Sequence, residues 1–208
     1  MRYYFLILVL YSCNNPQAPA RQEKIDPLPQ NKLTEGVVVL KESAKGHIKL
    51  YNLDATVWKD IDLSNDSTPV KGIDPYTMKL ENNLLVFRCV AQDQQSYQVI
   101  ADEDSGLLKD VSRADTNFVF ESWEKNILHA FSVNFDKEKK PVKERPDSTS
   151  KNVSSIANED DIYVPVEIKG DWIKLKWGNV FEERPVYTFG WVRWRAGEML
   201  LIDINYSD

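Results

Sequence analysis

Lys169-Gly170-Asp171-Trp172-Ile173-Lys174-Leu175-Lys176-Trp177 is the stretch on which the fold reading depends. Lys169-Gly170-Asp171 reads as a tight turn, because glycine takes a positive φ without steric penalty. After it, Ile173, Leu175 and Trp177 fall on one face of an extended chain, and Trp172, Lys174 and Lys176 fall on the other. A period of two with one apolar side marks a half-buried β-strand and not a helix. The parity returns in Gly190-Trp191-Val192-Arg193-Trp194-Arg195, where Val192 and Trp194 face one way and Trp191, Arg193 and Arg195 the other. Paired as strands, the two stretches set Trp172 and Trp191 beside Lys174, Lys176, Arg193 and Arg195. Such a strip suits stacking on sugar rings or on an extended peptide, with the cations meeting carboxylates. A purely structural role fits it too, with Lys and Arg stems covering the two indoles. Glu167, Glu182, Glu183 and Glu198 lie near in sequence as counter-charges, and residues 161–208 are net acidic as a whole.

Upstream, short apolar runs recur at 37–40, 47–51, 56–58, 84–90, 97–100, 117–120 and 128–135. In the second, Ile48 and Leu50 oppose His47, Lys49 and Tyr51; in the last, His129, Phe131, Val133 and Phe135 share a parity. Asn65-Asp66-Ser67-Thr68-Pro69 and Asp102-Glu103-Asp104-Ser105-Gly106 are turn-rich breaks between runs. Regular spacing of short runs and breakers predicts a mainly β, antiparallel chain. One local alternative stands: Trp123, Ile127 and Ala130 at i, i+4, i+7 admit a helical turn or two. The charged, proline-containing stretch from Lys137-Glu138-Lys139-Lys140-Pro141 to Arg145-Pro146 marks a boundary, which gives a β-rich domain at 33–136 and a second unit at 137–208.

The amino terminus reads as an address. Arg2 precedes an apolar run at 3–10, which falls well short of the roughly 20 residues that span a bilayer but suits the core of a signal peptide. Leu10-Tyr11-Ser12-Cys13 resembles the lipobox of bacterial lipoproteins, with Tyr11 bulkier than the usual occupant. The resemblance implies that residues 1–12 are removed and that Cys13 is lipidated with palmitate-type chains. Each buried methylene then contributes about 0.8 kcal/mol to holding the chain at a membrane. The implied location is the bacterial cell envelope, at the outer membrane or cell surface in preference to the inner membrane. A plain secretory signal with a chance cysteine is the competing reading. Residues 13–32, with Pro16, Pro19, Pro27 and Pro29, read as a semi-extended tether.

The carboxy-terminal stretch resembles a bacterial SH3-like domain. Val142-Lys143-Glu144-Arg145-Pro146 with the polar loop after it matches the opening landmark of that family. Gly170-Asp171-Trp172-Ile173-Lys174-Leu175 matches the middle strand, and Gly190-Trp191-Val192 the last. The resemblance covers about a third of the chain and implies a small SH3-like β-barrel at 137–208. It departs from the pattern in the long insert 178–189 and in the tail past Gly197.

Composition removes several function classes. The chain has 208 residues, 26 basic and 32 acidic, with a net charge of −6. A pI near 5.1 argues against nucleic acid as a partner, since phosphate binding requires clustered positive charge. No Gly-rich phosphate loop and no Cys-x-x-Cys or His-x-x-x-His spacing occurs, so no cofactor and no metal is expected. Asp102-Glu103-Asp104-Ser105-Gly106 lacks the spacing of a calcium loop. A thiol enzyme would need Cys89 paired with His47 or His129, and Cys89 sits in an apolar strand-like run that does nothing to lower its pKa. The expectation is a non-catalytic, membrane-anchored lipoprotein. Its ligand would be an extended peptide or peptidoglycan, held by Trp172, Lys174, Lys176, Trp191, Arg193 and Arg195. The other reading is an inhibitor, an immunity-like protein or an accessory subunit bound to an envelope protein.

Overall fold

The alternating runs fold as strands, and every pairing between them is antiparallel. The computed structural model describes residues 21–64, 70–154, 161–178 and 186–206. The signal segment 1–12, Cys13 and the first part of the tether lie outside the described residues. In chain order the strands begin with β1 (Gly36–Leu40), β2 (His47–Tyr51), β3 (Val57–Asp62), β4 (Thr77–Lys79) and β5 (Leu84–Gln92). There follow β6 (Ser96–Asp102), β7 (Leu107–Ser112), β8 (Phe118–Glu121), the helix α1 (Trp123–His129) and β9 (Ser132–Asn134). The last are β10 (Val164–Lys169), β11 (Trp172–Trp177), β12 (Thr188–Arg193), β13 (Arg195–Ala196), β14 (Met199–Leu200) and β15 (Asp203–Asn205). The protein is therefore mainly β, as the sequence predicts.

One 8-stranded sheet runs β3-β2-β7-β6-β5-β1-β8, with β4 on β5. Its two faces follow from side-chain parity. Val38 and Leu40 of β1 join Leu85, Phe87 and Cys89 of β5 in one core with Ile48, Leu50, Ile61, Val99 and Val111. On the other face Val37 and Val86 enter a second core with Trp123, Ile127, Val133, Ile173, Leu175, Trp177, Val192 and Trp194. Burial on both sides explains why residues 84–90 of β5 read as an apolar run broken only by Arg88. The second core draws residues from both sides of position 137. The tail adds to this, since β15 pairs with β9, Leu33 N–H donates to Glu198 O, and Leu200 N–H donates to Asn31 O.

Run 128–135 folds differently from its parity. Ser122 caps α1 by accepting the Lys125 N–H at 3.2 Å, so the chain is helical as far as His129. Val133 and Phe135 are buried, whereas Phe131 is exposed. Strand β7 carries no clean apolar signal, because Lys109 and Asp110 stand at its centre. Both are buried: Lys109 donates to Asn52 Oδ1 at 2.9 Å, and Arg21 donates to Asp110 at 2.6 Å. Burial raises the Asp110 carboxyl pKa, and Arg21 opposes that shift.

Residues 21–32 of the expected tether run along the large sheet. Leu108 donates to Glu23 O, Ile25 donates to Gly106 O, and Gln98 Nε2 donates to Gln22 O at 3.0 Å. Gly106 has φ +69°, and a Cβ there would lie 2.1 Å from Ile25 O, so only glycine admits this close approach. Among the described residues no helix is long and apolar enough to cross a membrane.

Candidate functional site

The strip expected from parity assembles on the 3-stranded sheet β10-β11-β12. Its register sets Trp172 opposite Arg193, Lys174 opposite Trp191, and Lys176 opposite Phe189. Each aromatic ring thus faces a cation across the strands, a pairing that stabilises both sheet and side chains. Beneath it, Ile173, Leu175 and Val192 are fully buried and anchor the strip to the second core.

The predicted members play unequal parts. Trp191 is only 8% exposed and offers no free stacking face. This corrects the expectation for that residue. The reason is a hairpin in which Lys143 exchanges backbone bonds with Trp191, while Val153 donates to Val142 O. On the inner face of β12, opposite to Trp191, Val142 and Val153 pack so close to Gly190 that a Cβ there would meet Val142 at 2.3 Å. Arg195 is also diverted, because it donates to Asp171 at 2.9 Å, approaches Glu124 at 3.3 Å and lies over the buried Trp194 ring at 4.8 Å. Arg195 first, and Arg193 after it, hold the Asp171 carboxyl below the usual carboxylate range. Arg193 itself is 3.4 Å from Asp171, and Lys174 is 3.7 Å from Glu167.

What stays open is the outer end of the sheet. Phe189 is 48% exposed and Tyr187 38%, with Val166 and Val186 beside them in the exposed set. The Lys176 ammonium lies 4.7 Å above the Tyr187 ring, and the Lys174 ammonium 5.7 Å from that of Phe189. No ion pair engages Lys176 among the described residues. Val166 reaches the surface because β10 bulges between Pro165 and Glu167. Sequence reading passed over Tyr187 and Phe189, although they share the parity of Trp191 and Arg193. The outward platform therefore consists of Trp172, Tyr187 and Phe189 with Lys174, Lys176 and Arg193. Chemically it is an amphipathic, cation-studded aromatic surface.

Cys89 lies elsewhere. It is fully buried, its Sγ–H donates to Ala91 O at 3.3 Å, and burial pushes its thiol pKa up to about 12. His47 is bound to Asp60 at 2.7 Å and His129 to Glu121 at 3.0 Å. No cluster of three or more His, Cys, Asp or Glu side chains suited to a metal forms among the described residues.

Comparison with protein-family models, with curated proteins and with solved structures returned no match.

Proposed function

We propose that the protein is a lipid-anchored envelope lipoprotein whose carboxy-terminal SH3-like sheet binds an extended peptide or a peptidoglycan stem peptide. The single observation that carries this reading is the register of β11 against β12, which sets the outward rings of Trp172 and Phe189 opposite Arg193 and Lys176. The Val142–Val153 hairpin edging β12 supports an SH3-like arrangement, since it occupies the place of that family's opening strand. Rings stack on peptide planes or sugar faces while Lys174, Lys176 and Arg193 meet carboxylates. The anchor rests on the lipobox-like Leu10-Tyr11-Ser12-Cys13.

Two experiments test the two halves. Labelled palmitate is expected to enter the wild-type chain and not Cys13→Ser, which should leave the membrane fraction. Label in the variant, or equal retention of both, ends the anchor reading. For the strip, Tyr187→Ala/Phe189→Ala with Lys176→Ala is expected to lower retention on purified cell wall about a hundredfold with folding intact, from two ring contacts and one charge. Wild-type retention should also fall with salt, because exposed charges are screened over about 10 Å at 0.1 M. Unchanged retention in the triple variant rejects the strip.

A second reading is favoured by the exposed apolar group Val166, Val186, Tyr187 and Phe189. Such a patch suits an envelope protein as partner, with this chain as its inhibitor, immunity-like protein or accessory subunit. That interface would bury on the order of 1,600 Å² in total, and one defined protein, not cell wall, would be retained.

A further inference from the structure

A cleft of about 1,110 Å³ opens between the β1–β8 edge of the large sheet and α1, remote in sequence from the strip. Its wall holds a chain of buried polar groups. Glu121, the last residue of β8, is 5% exposed, and Asn126 of α1 is 2% exposed. The Tyr206 hydroxyl donates to Asn126 Oδ1 at 2.7 Å. Asn126 Nδ2 donates to Glu121 Oε2 at 3.2 Å. His129 Nδ1 meets Glu121 Oε1 at 3.0 Å, and Lys125 lies 3.3 Å from the same oxygen.

The direction of each bond follows from the groups. An ionised carboxylate only accepts, so Asn126 turns its amide N–H toward Glu121 and its oxygen toward Tyr206. By the same rule His129 Nδ1 carries a proton, and in the neutral tautomer so fixed Nε2 is the acceptor. That ring is 59% exposed at the cleft. Phe131, also in the lining, is 38% exposed. A buried network with all its members paired holds its outermost group rigidly. Here the outermost group is an imidazole, and an exposed phenyl ring lines the same cleft.

The charges of the lining nearly cancel. Lys125, outside the lining, pairs with Glu121 at 3.3 Å, and Lys41 stands with Glu42 in the lining. Such a site has no pull on anions. It pairs an apolar ring with an imidazole nitrogen and with the side chain of Asn82, while Asn83 donates its amide N–H to Glu42 O at 3.0 Å. Pyranose rings present the complementary surface: one C–H face to stack, and hydroxyls around the rim to hydrogen-bond. We propose that this cleft is a second binding site, specific for a neutral saccharide, with Phe131 stacking on the ring and His129 Nε2 accepting a sugar hydroxyl. The proposal is independent of the strip and of the anchor.

Saturation-transfer NMR on the purified full chain tests it, with cellobiose and N,N′-diacetylchitobiose as probes. Transfer to ring protons of at least one disaccharide is expected, together with a shift of the His129 ring signals on titration. Phe131→Ala should weaken binding about tenfold, the value of one stacking contact. His129→Ala should weaken it as well, while Val57→Ala, at an exposed residue of β3, should leave it unchanged. Circular dichroism verifies folding of each variant. Absence of transfer from both disaccharides to folded wild-type protein overturns the proposal. Binding that survives both Phe131→Ala and His129→Ala also overturns it, as does a shift of the same ring signals by a neutral pentapeptide in place of either sugar.

Discussion

Replacing Arg88 with alanine is expected to destabilise the protein by about 3–5 kcal/mol, the loss typical when one member of a buried ion pair is removed. The guanidinium is 1% exposed and spends all its donors inside the protein. Nε donates to Glu103 Oε1 at 2.9 Å, and Nη2 bonds the other carboxylate oxygen. Nη1 donates to the carbonyls of Pro29 and Lys32 at 2.9 and 3.0 Å, and Nη2 to Leu28 at 3.3 Å. The fork thus ties residues 28–32 to β5. It also lies 5.9 Å from the ring of Tyr76, whose hydroxyl pKa burial pushes up to about 12. Alanine would leave a carboxylate and several carbonyls without partners, and each unpaired buried group adds about 1–3 kcal/mol of penalty. Lysine keeps the charge but presents one point where the site needs a planar fork, so Arg88→Lys should recover only part of the loss. Urea denaturation checks this: the midpoint should fall sharply at unchanged slope, and residues 21–32 should become open to protease. A loss of unfolding free energy under about 1 kcal/mol would mean that this clamp does not hold the segment.

Arg88 also marks where sequence reading stopped. Within Leu84-Leu85-Val86-Phe87-Arg88-Cys89-Val90 its parity places it with Val86 on one face, yet its partners are carbonyls 56 to 60 residues back along the chain and the Glu103 carboxylate 15 residues on. The strands with local alternation were legible: 47–51 coincides with β2, and 84–90 lies within β5. Strand β7 was not, because Lys109 and Asp110 are buried through partners at Asn52 and Arg21 that periodicity does not contain. The 128–135 run misled because residues 129, 131, 133 and 135 satisfy a period of two, whereas the Ser122 cap and the burial of Trp123 and Ile127 select helix for its first part. For the site, parity along β11 and β12 gave the correct outward face. Parity does not say what pairs along an edge, so the flanking of Trp191 by the Val142–Val153 hairpin stayed hidden. The Glu121, Asn126, His129 and Tyr206 network combines one strand, one helix and the tail, a meeting with no local signature.

Trp177→Ala is expected to cost about 3–5 kcal/mol and to weaken both parts of the chain at once. The indole is 2% exposed and lies 5.5 Å from the Tyr163 ring, which in turn sits 5.0 Å from that of Phe135. These rings belong to the cluster that holds Val37 and Val86 of the large sheet together with Ile173, Leu175 and Val192 of the smaller one. Removing the indole opens a cavity in contact with elements from both sides of residue 137. Signals reporting on the large sheet and on β10–β12 should therefore move to the same lower denaturant midpoint. Trp172→Ala is the control: that indole is half-buried on the outer face of the same strand, so its loss should cost no more than about 1 kcal/mol. The two variants differ by five positions on one strand, yet their parity separates a core residue from a surface one. If Trp177→Ala melts β10–β12 while the large sheet keeps its wild-type midpoint, the two sheets are separate cooperative units and the shared cluster is a contact between domains, not a common core.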